Sequence, residues 1–155
     1  MVYLREPIKT KGVAMIRSLL FLSLLMLGLN ANTLTQPEII FQKKCQMCHA
    51  LAAPESEEEQ KAMVAPFMSL AMRSVTIGID ALEEPKDNKE LRKLTIEHIE
   101  DYIFNPRPEK SFCEDIIFEK FRYMPSLERF ISIKEAKIVA PWVYDTFAPA
   151  NYQVK

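Results

Sequence analysis

An all-helical domain is the fold this sequence predicts, on three observations. Glycine is scarce, with three in 155 residues, whereas strand-rich chains need glycines for their tight hairpin turns. Two capping boxes, Thr35-Gln-Pro-Glu38 and Ser132-Ile-Lys-Glu135, each lead into an apolar stretch, the signature of a helix N-terminus. No segment alternates apolar and polar residues over strand length, so the competing period is absent.

The elements follow in order, punctuated by ten prolines. The first helix opens at Thr35, tolerates Pro37 in its first turn, and carries Ile39, Ile40 and Phe41 toward Cys45. A polar, acidic segment around Pro54 to Gln60 separates it from a methionine-rich apolar stretch, Ala62 to Val75. Leu91, Leu94, Ile99, Tyr102 and Ile103 recur at helical spacing and mark a further amphipathic helix, stopped by Asn105-Pro106-Arg107-Pro108. A short helix is expected over Glu114 to Arg122, ending before Met124-Pro125 because a residue preceding proline is pushed out of the helical region. The last helix carries Ile138, Val139, Trp142, Val143 and Phe147 on one wide face. Pro141 lies inside it, and a kink or a split is expected there.

Ahead of this domain, residues 1–31 read as a signal peptide. Basic residues lead into the apolar run Ser18 to Leu29, too short to span the ~30 Å hydrocarbon layer as a helix. The run ends at Leu29-Asn30-Ala31, a small-residue cleavage site. Met15-Ile-Arg-Ser offers an alternative start, which would make the first 14 residues an over-long extension. Residues 32–155 then form the working domain in an extracytoplasmic space, tethered to the membrane if the signal is not removed. Four of the 20 basic side chains and only one of the 21 acidic ones lie in that leader. The remainder is therefore net acidic and has no basic stripe for nucleic acid.

Chemistry concentrates at Cys45-Gln-Met-Cys48-His49, the C-x-x-C-H pattern of covalent c-type haem attachment. On a helix these three positions fall on one face, so both thiols can meet neighbouring vinyl groups while the imidazole turns toward the iron. Chance alone gives such a pattern in a chain of this length on the order of one time in a thousand. A redox C-x-x-C expects a βαβ surrounding, which is absent here. Zinc needs four ligands, and only His98 and Cys113 remain to complete such a set.

Haem also needs a second axial ligand or an open position. Met124 is the leading candidate, because Arg122-Tyr-Met-Pro-Ser126 puts it in a proline-bounded loop before the last helix. Met63, Met68 and Met72 stand at helical spacing and read as flexible core filler. His98, at the margin of its helix's apolar face, reads as a half-buried structural residue, and Met47 points away from the porphyrin. Another methionine, His98 or an open site are the alternatives to Met124. Cys113 is the third cysteine, beyond the two that would hold haem, and burial as a small hydrophobe is favoured over a reactive or dimerising role. The charged runs Glu55 to Glu59 and Lys86 to Lys93 read as solvated surface.

With Ile40-Phe41-Gln-Lys-Lys-Cys45-Gln-Met-Cys48-His49, a following Met124-Pro125 and the terminal Glu135-Ala-Lys-Ile-Val-Ala-Pro-Trp142-Val-Tyr144 helix, the chain resembles the monohaem class I c-type cytochromes of the small bacterial periplasmic type. The resemblance implies a cytochrome c-like helical domain around one covalently attached haem c, with Cys45 and Cys48 as its thioethers. It implies His49 and Met124 as axial ligands, and Pro66 as the carbonyl that holds the histidine's other ring nitrogen. It implies that Phe41 meets Trp142 or Tyr144 where the first and last helices cross. The function implied is one-electron transfer in the periplasm between redox partner proteins, membrane-bound complexes among them, by a monomer with no catalytic base. Lys43 and Lys44 would flank the electron port. A haem-based sensor, or an enzyme subunit with a labile or open sixth position, is the alternative reading. Two features depart from the family: Pro37 replaces the usual glycine of the helix crossing, and the middle, from about Glu55 to Glu109, is long.

Overall fold

A computed structural model describes residues 34–113 and 115–154, so the signal peptide expected over residues 1–31 lies outside the described residues. Among these the chain is helical, with no strand: α1 (Gln36–Lys44), α2 (Glu57–Ala62), α3 (Met68–Glu83), α4 (Asn88–Phe104), a 3-10 turn (Pro108–Lys110), α5 (Asp115–Phe121) and α6 (Ile133–Phe147).

Local chemistry sets the helix starts. The Glu38 carboxylate accepts the Thr35 backbone N–H, and Lys43 and Lys44 sit in the last turn of α1, where cations suit the helix dipole. At α6 the box closes in both directions: Ser132 Oγ accepts from the Glu135 N–H at 3.2 Å, and the Glu135 carboxylate accepts from the Ser132 N–H at 2.8 Å. Asp87 caps α4 by accepting from the Glu90 N–H at 2.8 Å. The acidic segment after Pro54 is not extended chain. Ser56 caps it by accepting from the Glu59 N–H at 3.1 Å, and Glu59 accepts from the Glu55 N–H at 2.8 Å. This is the Ser-x-x-Glu signature, and it winds α2 even though no residue of that helix is buried. α6 runs for 15 residues straight through Pro141, so the expected split does not occur. Pro141 removes one backbone donor, and packing of Val139, Ala140 and Val143 on either side holds the helix together.

α6 is the spine, packed against α1, α3 and α4, with α3 also lying on α4. Phe41 is 1% exposed and lies 5.3 Å from the Trp142 ring and 5.8 Å from Phe147. Trp142 and Phe147 meet edge to face at 5.6 Å, which completes an aromatic triad at the crossing of α1 and α6. Burying a side chain such as Phe41 contributes about 2 kcal/mol. Ala136 and Ala140 are sealed on α6, where small side chains let helices approach closely. Arg92 on α4 makes a two-pronged bond to Asp145 on α6 at 2.7 and 2.8 Å. It is solvent-exposed and stabilises by less than about 1 kcal/mol.

Candidate functional site

The helical ladder of α1 loosens where the cysteines begin. Cys45 is the C-cap, donating its N–H to Phe41 O at 2.8 Å, and the chain continues as turns through Cys48. The motif therefore does not lie on a regular helix as the spacing suggested. One helical turn survives in it, since the His49 N–H reaches Cys45 O at 3.0 Å, and this keeps positions 45, 48 and 49 on one side. Cys45 is half-buried and Cys48 exposed. Burial, with the neighbouring Cys48 adding to it, pushes the Cys45 thiol up to about 11, so Cys45 stands as a protonated thiol.

His49 is fixed through its ring. Nδ1 lies 2.8 Å from Pro66 O, and a carbonyl only accepts, so Nδ1 carries the proton and donates. Nε2 is then left with its lone pair. Burial lowers the His49 pKa against the raising effect of the Pro66 bond, which favours the uncharged ring a metal requires. One residue on, Ala50 O accepts the Met68 N–H at 2.9 Å, so the segment from 50 to 67 returns to where it left and α3 starts beside the motif.

These groups open onto a cavity of about 260 Å³ whose lining includes Cys45, Cys48, His49, Pro66 and Met124. Met124 arrives from a strap between α5 and α6 that is tied to the C-terminal end of α4. Ser126 Oγ donates to Phe104 O at 2.7 Å, and the Leu127 N–H donates to Ile103 O at 2.9 Å. Two residues before Met124, Arg122 adopts a left-handed backbone with φ of 63°. A side chain other than glycine pays for that conformation with about 1 kcal/mol or more.

Other candidates are sorted by burial. Met68 and Met72 are core residues at 7% and 2% exposure that also touch the cavity. Met47 is 76% exposed on its rim, and Met63 is half-buried and does not line it. His98 does line it, tilted against Tyr102 at 5.3 Å and met edge-on by Phe112 at 4.7 Å. Burial drives the His98 pKa down to about 4, with Asp101 opposing. Cys113 is half-buried and lines the same cavity, so it belongs to the cavity wall rather than to the core as expected.

Among the described residues no group of three or more His, Cys, Asp or Glu side chains is placed to hold a metal ion. A porphyrin, which brings four nitrogens of its own, would ask the protein for only an imidazole, a thioether and two thiols, and side chains of those kinds line this cavity. Three features escaped the sequence: the Ser126 tie, the contact of Gly78 with Phe112, and Cys113 as a cavity-lining residue. The serine beside Met124-Pro125 was the one local signal available.

No family model matches the chain, and no solved structure matches it. It is similar to a protein of Aquifex aeolicus (strain VF5) described as uncharacterized, 27% identical over 135 residues, which cover 83% of this chain and 84% of that relative.

Proposed function

We propose that the protein is a monohaem c-type cytochrome that carries one electron between redox partner proteins in the periplasm. One observation carries this: a cavity lined by the two thiols, the imidazole, the Pro66 carbonyl bonded to that imidazole, and the Met124 thioether. A covalently held haem supplies a one-electron couple. Cys45 and Cys48 would anchor it as thioethers. Pro66 orients His49 and keeps Nε2 aimed outward from its own hydrogen bond, the kind of supporting contact that fixes a ligand's tautomer. The strap tied at Ser126 and Leu127 presents Met124, whose soft sulfur favours ferrous iron and raises the potential. Phe41, Ile99, Ile103 and Val143 give the cavity apolar walls.

Among the described residues no helix is long and apolar enough to cross a membrane, and the periplasmic placement rests on the leader sequence. Lys44 lies on the cavity rim and Lys43 beside it on the exposed face, which supports an electron port there and partner association that weakens as salt screens charge over ~8 Å.

Haem staining after denaturing electrophoresis, with an intact mass of the mature chain, tests the reading. Stained protein carrying the mass of one haem is expected, with Cys48→Ser losing most of it and His49→Ala losing the proximal ligation. An unmodified mass in protein made by cells competent in c-type maturation would end the proposal.

A further inference from the structure

Two side chains whose donor atoms could ligate a haem iron opposite His49, Met124 and His98, line one cavity, and the haem reading calls for a choice between them. Imidazole is the harder donor and the better partner for ferric iron; the thioether is soft. His98 is placed for the role: two aromatic rings meet it at the cavity wall, and burial keeps the imidazole uncharged at neutral pH.

The neighbours of His98 are unusually specific. Phe112 meets its ring at 4.7 Å and 70°, and on its other side Phe112 presses on α3 at Gly78. A Cβ built at position 78 would lie 2.6 Å from Phe112 Cβ and 2.7 Å from Phe112 O. Backbone is among the atoms struck, so a side-chain rotation cannot relieve the clash. Gly78 sits inside a helix, where glycine costs about 1 kcal/mol relative to alanine. The close approach of Phe112 is what that glycine permits. Tyr102 also meets the imidazole, at 5.3 Å and a tilt of 33°, and its own hydroxyl is bonded to Ser111. The segment 111–113 is thus a peg set between α3 and α4, with the His98 ring held in the joint.

We propose that Phe112, seated in the notch at Gly78, selects Met124 over His98 as the sixth ligand by clamping the His98 imidazole between two rings. The inference rests on the haem reading above. Phe112 and Gly78 are positioning residues: neither touches iron, and both act through His98. When the clamp is removed, the Met124 sulfur leaves and a His98 ring nitrogen donates its lone pair in its place. No electron moves, and no proton is released from an already neutral ring.

The test uses the haem-loaded full chain. Oxidised wild type is expected to show the sulfur-to-iron charge-transfer band. Phe112→Ala should lose that band while keeping a low-spin spectrum, lower the midpoint potential, and remain closed to carbon monoxide when reduced, because His98 fills the position. Phe112→Leu, which keeps a bulky side chain beside the imidazole, should keep the band, and Phe112→Ala combined with His98→Gln should recover it. Gly78→Ala gives a second route to the same spectrum by expelling Phe112, and it decides the matter if Phe112→Ala does not fold. A band unchanged in both Phe112→Ala and Gly78→Ala overturns the proposal. So does a band lost in Phe112→Ala and not recovered on adding His98→Gln, which would make the peg a support for the Met124 strap alone. Wild type without haem absorbance overturns the underlying reading, and this shows before any variant is made.

Discussion

On the His49 side of the cavity, both thiols and the imidazole lie within five consecutive residues, and one turn of backbone plus the Pro66 bond orients them. On the Met124 side a single sulfur depends on contacts such as Ser126 to Phe104, 22 residues apart in sequence. The first side is local and pre-formed by α1, whose Phe41 anchors it in the aromatic triad with α6. The second is the strap between α5 and α6, with a left-handed Arg122 and two ties to α4. A locally built ligand is lost only when the fold is lost, whereas a strapped ligand can be exchanged while the core stands. The difference places adjustability on the Met124 side.

The comparison breaks most visibly at Phe41. Phe41→Ala leaves a void in the triad and should destabilise the domain by about 3–5 kcal/mol, read as a lowered midpoint in urea unfolding. It acts through the whole fold, so the unfolding monitored at haem and at helix should shift together. Separate transitions would show that α1 is not the common anchor.

Next comes acid. His98 has a folded-state pKa lowered from 6.5 to about 4 by burial. A depressed pKa contributes stability that is present in full above 6.5 and is lost as pH falls through about 4. His98→Gln should flatten the pH dependence of stability within that window and leave it unchanged near pH 8. An identical slope in the two proteins between pH 6.5 and 4 would contradict the burial of the ring.

The strap responds to smaller changes. Ser126→Ala removes the bond to Phe104 O and costs about 1 kcal/mol. If Met124 ligates a haem iron as proposed, added imidazole that competes with it should then bind about fivefold more tightly. Arg122→Gly acts in the opposite direction and more weakly: relief of the left-handed cost is partly offset by the extra freedom of glycine in the unfolded chain, for a net of about 0.5 kcal/mol. It should weaken imidazole binding by about twofold. Were both variants to leave imidazole affinity untouched, the strap would not be what holds the sulfur.

The same division explains what the sequence disclosed. Capping boxes, the apolar faces of α4 and α6, and the cysteine motif are written in residues three or four apart, so the all-helical fold and the His49 side were legible. Phe41 meeting Trp142 was reached through resemblance, and Phe147 joins them because α6 stays continuous past Pro141. α2 was written in Ser56 and Glu59 but hidden by the acidic character around them. Gly78 against Phe112, His98 in the joint and Cys113 at the wall were not legible, because each depends on how α3, α4 and the strap come together, and no local pattern encodes that.

The most direct test of the account is the absorption spectrum of purified wild-type and Met124→Ala protein, oxidised, then reduced under carbon monoxide. Covalent low-spin haem is expected in wild type, with the sulfur-to-iron band when oxidised and no response to carbon monoxide. Met124→Ala should lose the band and bind carbon monoxide, since the clamp still holds His98 in place. Wild-type protein that binds carbon monoxide readily, or a Met124 variant that keeps the band, would contradict the assignment of Met124 and of the protein as an electron carrier.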